Sequence, residues 1–225
     1  MTSTLRIAAL VSLLAASACE VTTNPPNETA EAPNAAADAN AGAASGAAQQ
    51  APQNQAAATQ SGEQFRDLRV LVDISDRKLR LFQADRMIAE HPVAVGSARW
   101  PTPTGSWRIH RVDLNPAWVP PRDEEWAEDR EPKAAGAPDN PLGRARLVYR
   151  LPNTIHGTNN PGSLGTATSH GSIRVSNEVA LQLAQILLQA GGKWEGPERF
   201  QQMANDRARE VEIELTRPVP IQVQD

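Results

Sequence analysis

In LRVLVDIS, the residues Leu68, Val70, Val72 and Ile74 fall on one face of an extended chain; after the polar turn SDRK the alternation resumes in KLRLFQ with Leu79 and Leu81. A helix would scatter those positions around its axis, so two paired strands are predicted. MIAEHPVAVG and, beyond the Pro-punctuated WPTPTG, SWRIHRV read as further strands. LVYRL, TIHGT, VEIEL and VPIQV have the same character. From Pro120 to Pro141 the chain is charged, Pro-rich and aperiodic, which predicts a long loop of the kind used as a lid or binding element. Ser176 or Asn177 can cap a helix over NEVALQLAQILLQAGG, whose Val179, Leu183, Ile186 and Leu187 share a face and whose glycine pair stops it. A weaker helix is predicted over about residues 197–209. The balance is mainly β, with one or two helices packed outside.

Upstream the composition changes. Residues 20–64 are dominated by Ala, Asn, Gln, Pro, Gly and Ser, with too few large apolar side chains to offset the entropy of ordering them. The segment predicts a disordered tether with a mean reach of roughly 35–40 Å. Residues 1–18 read as a signal peptide: Arg6 supplies a positive start, and IAALVSLLAA is too short for a permanent membrane span. ASAC, Ala16 to Cys19, admits two readings. Ala16-Ser17-Ala18 suits an ordinary signal peptidase, which would secrete the protein into the periplasm; the same residues resemble a bacterial lipobox, with Ala16 where leucine is usual, in which Cys19 is acylated. Cys19 is the single cysteine of the chain, and an odd exported cysteine otherwise needs a partner, which favours the lipid anchor. The expected division is therefore 1–18 signal peptide, 19–64 lipid-anchored linker and 65–225 folded domain. One cysteine also excludes an internal disulfide and cysteine catalysis within that domain.

A net charge of −4, a pI near 5.6 and the lack of any Lys/Arg block exclude a nucleic-acid footprint. Four scattered histidines give no ligand set with metal spacing, so no metal and no cofactor is expected. Of these, His91 and His110 read as structural, while His170 stands within SHGSIRVSN, Ser169 to Asn177. Residues two apart on a strand share a face, so His170, Ser172 and Arg174 would converge. Asp73 and Asp76 read as turn formers, Trp107 and Trp118 as core or groove-lining aromatics, and DEEWAEDRE as a solvated loop in which Trp126 is a candidate substrate contact.

IHGTN, Ile155 to Asn159, followed by SHGSIRVSN, resembles the catalytic signature of the YkuD-type L,D-transpeptidases. VDISDRKLRLF, PVAVG, TPTGSWRI, NPAWVPP and NPLG resemble that family's strands and loops in its order, over roughly residues 69–188. The resemblance implies a β-sandwich-like domain, working without a cofactor, on the periplasmic side of the cell envelope. Its partners would be peptidoglycan stem peptides, with the membrane reached through a lipid on Cys19, and a monomer is expected. The implied reaction is acyl transfer from a diaminoacid carbonyl, with release of D-alanine, to an amine or to water. Carried over, His170 is the base and Ser172 holds the place of the family's cysteine nucleophile. His156 fixes or polarises the substrate carbonyl, the amides around Gly171 and Ser172 supply oxyanion donors, and Arg174 binds a stem-peptide carboxylate; Ser169 joins Arg174 and Trp126 in substrate binding. The serine keeps the shape of the site but changes its chemistry. Three readings stay open: a serine acyl-enzyme that transfers or hydrolyses, a catalytically retired peptidoglycan-binding adaptor, and an inactive substitution in a cysteine enzyme.

Overall fold

A computed structural model describes residues 65–225; the expectations for the signal peptide, the linker and Cys19 lie outside the described residues. The strands are β1 (Leu68–Asp73), β2 (Lys78–Gln83), β3 (Arg86–Pro92), β4 (Val95–Gly96), β5 (Gly105–Leu114), β6 (Ala145–Val148), β7 (Thr154–His156), β8 (Ala167–Ser169), β9 (Ile173–Arg174) and β10 (Val211–Gln224). Two helices, α1 (Asn177–Ala190) and α2 (Pro197–Asn205), accompany them. The mainly β expectation with flanking helices therefore holds.

The alternation at Leu68 and Leu79 produces what it predicts. Leu68, Val70, Val72, Leu79 and Leu81 are all buried, and β1 pairs antiparallel with β2, Val72 opposite Leu79. One eight-stranded sheet runs in the order β3-β2-β1-β10-β5-β6-β7-β9, with β4 and β8 forming a small parallel pair beside it. The two short C-terminal strands expected from VEIEL and VPIQV are instead one strand of 14 residues, β10. Its register shifts between Glu214 and Val219, and there Arg217 N–H reaches the carbonyl of Gly191 at the end of α1, 3.0 Å away. The bulge thus lets one strand serve both halves of its neighbour β5.

Helix α1 begins where the sequence places it: Ser176 Oγ accepts the Val179 N–H at 3.1 Å, satisfying a donor that the first turn leaves free. Its Leu183, Ala184, Leu187 and Leu188 are buried in one core with Val112, Leu147 and Ile155 of the sheet. Burying four such side chains is worth several kcal/mol at about 25 cal/mol per Å² of apolar area. It also fixes the strands β5, β6 and β7 that carry the cleft.

Candidate active site

Ile155 and Ile173, register partners on the parallel strands β7 and β9, are fully buried. Alternation turns the next register pair, His156 and Arg174, to the opposite face. There they line a cleft of about 210 Å³ together with His170, Ser172 and Trp126. The expectation that His170, Ser172 and Arg174 share a strand face is corrected, because residues 170–172 form a turn between β8 and β9. Gly171 takes φ +98°, which L side chains rarely adopt, and a Cβ there would stand 2.6 Å from Asn153 Nδ2. The turn, rather than strand periodicity, brings the three side chains to one cleft.

Ser169 builds that turn. It is buried, and its Oγ donates to the Ser172 carbonyl at 2.5 Å while accepting the Gly171 N–H at 3.1 Å. Its one donor and one of its two acceptor sites are thereby engaged by the backbone. The same bond occupies the Gly171 amide, so of the two expected oxyanion donors only the Ser172 N–H is without a partner among the described residues.

Ser172 Oγ accepts the Thr154 N–H at 3.1 Å, a donor that favours a deprotonated oxygen. No hydrogen bond joins it to His170 among the described residues. The His170 ring stacks on Trp126, with centroids 4.1 Å apart at 15°, and meets a tilted Trp100 at 4.5 Å and 58°. Burial holds the His170 pKa below its ordinary value, with Arg174 and Arg130 acting in the same sense and Glu124 opposing. The ring is therefore available as a base at neutral pH.

His156 is 5% exposed, and its Nδ1 lies 2.7 Å from the Gly157 carbonyl. A carbonyl only accepts, so Nδ1 carries the hydrogen. Burial lowers the pKa to about 4 despite that bond, and the positive charges of Arg174 and Arg146 add to the effect. The ring is neutral at pH 7 and presents Nε2 as an acceptor. It can receive a hydrogen bond from a substrate N–H but has none to give a carbonyl, which corrects the polarising half of its expected role.

The pair His156 and Arg174 ends a register row that runs Glu212, Asp113, Arg146, His156, Arg174 across β10, β5, β6, β7 and β9. Arg146 is held by the fully buried Asp113, Nε to Oδ2 at 2.6 Å, and Arg111 approaches the other oxygen at 2.8 Å. Arg174 differs: its half-buried guanidinium has no acidic or carbonyl partner among the described residues. A planar cation without a partner, facing a cleft, is suited to an incoming carboxylate.

The loop over the cleft is pinned at its base. Trp118 and Lys133 exchange two backbone bonds of 2.8 Å, and the buried Asn140 donates to the carbonyls of Pro116 and Ala134 at 2.8 and 3.0 Å. Asn177 Oδ1 accepts the Arg144 N–H at 2.9 Å from the start of α1. DEEWAEDRE is more than a solvated run: Ala127 is buried, Trp126 is half-buried against His170, and Glu125 pairs with Arg99. Trp118 lines the cleft as expected, whereas Trp107 packs beside Tyr149, 5.6 Å between centroids. Asp73 is the expected turn former, accepting from Ser75 and Asp76 at 2.9 Å each. Sequence reasoning missed Trp100, Asn140, the Asn177 bond to Arg144 and the Asp113–Arg146 pair. The Asn-Pro dipeptides at 115–116 and 140–141 were a signal for the ordered loop base; Trp100 carried none.

Residues 67–213 match the model of the YkuD family, the L,D-transpeptidase catalytic domain. The Bacillus licheniformis relative bearing the name L,D-transpeptidase YkuD is 34% identical over 119 residues, 53% of this chain and 59% of that protein. Its namesake in Bacillus subtilis is 32% identical over 118 residues, 52% of this chain and 59% of that protein. The chain thus spans about three fifths of the length of these curated relatives. Among solved structures, L,D-transpeptidase 3 from Mycobacterium tuberculosis aligns with a TM-score of 0.44 at 15% identity, over 71% of this chain and 61% of that one.

Proposed function

Because the chain belongs to the L,D-transpeptidase catalytic-domain family, we propose that it is a peptidoglycan acyltransferase in which Ser172 takes the place of a cysteine nucleophile. The observation that carries this reading is the convergence on one cleft of Ser172, His170, His156 and Arg174, the last without an acidic or carbonyl partner among the described residues. In the proposed step the Ser172 Oγ–H proton passes to His170 as Oγ attacks the diaminoacid carbonyl of a stem peptide. The tetrahedral oxyanion faces the Ser172 N–H, and Arg174 holds a substrate carboxylate. Collapse breaks the C–N bond, the departing D-alanine amine takes the proton from His170, and an ester remains on Ser172. An acceptor amine, deprotonated by His170, then cleaves the ester and restores the hydroxyl; water in its place makes the reaction a carboxypeptidase hydrolysis. The proposed setting is the periplasmic side of the envelope, with Cys19 lipidated. Palmitate labelling that is lost in Cys19→Ala would support the anchor, and retained labelling would remove it.

A second reading, an adaptor that binds stem peptides without turnover, is favoured by one observation: no hydrogen bond links His170 to Ser172 Oγ among the described residues. Incubating the protein with disaccharide-tetrapeptide and weighing the products separates the two. Loss of D-alanine or formation of a cross-linked dimer supports the enzyme. Unchanged substrate that raises the Tm of the protein supports the adaptor.

A further inference from the structure

Away from the cleft, the hairpin half of the sheet carries a second concentration of charge. Val70, Ile221 and Ile109 are buried in the core, so alternation turns their neighbours Arg69, Pro220 and Arg108 to the other face. The register sets these three at one level, because Val70 pairs with Ile221 and Pro220 with Arg108. The strands β1 and β5 that bear the two arginines lie roughly 10 Å apart across β10. Arg66 and Arg217 join them around one depression of about 400 Å³, which shares no lining residue with the cleft.

Elsewhere on this face positive charge is neutralised. Arg80 pairs with Asp76 at 2.7 Å and with Glu90 at 2.8 Å, and Lys78 pairs with Glu90 at 3.0 Å. Around the depression the contacts leave the charge intact. Arg69 lies over the Phe82 ring, 3.9 Å from its centroid, and Arg108 donates to the Pro218 carbonyl at 3.0 Å. Arg217 lies beside Gly192, just past the end of α1. Among the described residues none of these three has a carboxylate partner, and Asp67 is the one acidic residue lining the depression. In a chain of net charge −4 such a local excess is not a matter of composition. The half-buried Phe65, with Pro218 and Pro220, adds an apolar rim.

We propose that this depression docks the domain on a membrane surface, its arginines taking the phosphates of anionic lipid headgroups. The planar guanidinium fork matches phosphate oxygens, and a basic cluster beside a bilayer is drawn to anionic lipid. Lipid is chosen over a soluble polyanion because of where the patch stands. Phe65 and Arg66 open the described domain and also line the depression, so the preceding chain, which holds Cys19, enters at the patch itself. The choice of a bilayer thus rests on the proposed lipid on Cys19. The anchor would hold one end of the intervening segment and the arginines the other, which keeps the domain at the bilayer surface.

The test uses the full chain carrying Cys19→Ala, so that no attached lipid contributes. Co-sedimentation is followed with vesicles of phosphatidylcholine alone and with vesicles in which one third is phosphatidylglycerol. The anionic vesicles should be preferred, and the preference should fade in high salt. Arg69→Gln/Arg108→Gln should weaken binding to them roughly twenty- to thirty-fold. Arg69→Lys/Arg108→Lys should retain most of it, because the charge is kept. Asp67→Asn should tighten it roughly five-fold, a gain that loss of folding cannot imitate, since Asn accepts the φ of 60° found there. No preference for the anionic vesicles, or arginine and Asp67 variants that bind as their parent does, would overturn the proposal. So would capture by soluble polyphosphate without binding to vesicles, which would make the ligand a free polyanion. The anchor is judged apart from the patch by palmitate labelling of the wild type. Labelling without vesicle binding by the Cys19→Ala chain removes the patch and leaves the anchor; vesicle binding without labelling removes the anchor and leaves the patch.

Discussion

A hydroxyl yields its proton only while it attacks, whereas a thiol near pKa 8.5 can yield it beforehand, so in the proposed mechanism position 172 decides how much is asked of the base. The Thr154 amide already points at the side-chain oxygen and would serve a sulfur anion equally. Ser172→Cys is therefore expected to speed D-alanine release, measured by single-turnover mass spectrometry; an unchanged or slower rate would mean the cleft has been retuned around oxygen. At His156 the expectation concerns pH. The folded pKa is about 4 and the unfolded value 6.5, so as acid is added the unfolded chain takes up this proton first. Stability from this residue is full above about pH 6.5 and is lost progressively down to about pH 4, on the order of 3 kcal/mol in all. Urea midpoints across that range should show the slope in the wild type and a shallower one in His156→Asn, whose amide can still donate to Gly157.

The Asp113–Arg146 contact joins β5 to β6 at the wall of the cleft, and its energetics belong to those two strands together. Arg146→Met leaves the fully buried Asp113 carboxylate with Arg111 alone. A loss on the order of 3 kcal/mol is expected in chemical denaturation, and Asp113→Asn in the same background should recover part of it. Asn140→Ala, which removes two donated bonds and the acceptor for the Leu142 N–H, should cost about 2–3 kcal/mol. Hydrogen exchange should show where: protection should fall in residues 116–141 before it falls in α1. Legibility in the sequence followed element length. The six-residue strands β1 and β2 and the ten-residue β5 carry enough alternation to be read, and α1 carries both its cap and its face. The strands β4, β8 and β9, two or three residues each, are too short to show a period, and β9 and the turn before it were read as one strand for that reason. The candidate residues His170, Ser172 and Arg174 were legible because they sit together in SHGSIRVSN. The tryptophans that meet the His170 ring were not, since contact between distant segments leaves no trace in local spacing.

Across the whole domain, β10 lies between β1 and β5 and connects the hairpin half of the sheet to the half that carries the cleft. Its Leu215, Val219, Ile221 and Val223 are buried in the common core. Removing residues 211–225 is accordingly expected to abolish the cooperative thermal transition followed by circular dichroism, although no residue of the cleft is touched. A strand this central that follows the cleft residues in chain order also sets a schedule. During synthesis Ser172 and His170 emerge well before the piece that joins β1 to β5, and until then the sheet beneath them is in two parts. A polypeptide that still lacks β10 thus carries its candidate reactive groups with nothing to aim them.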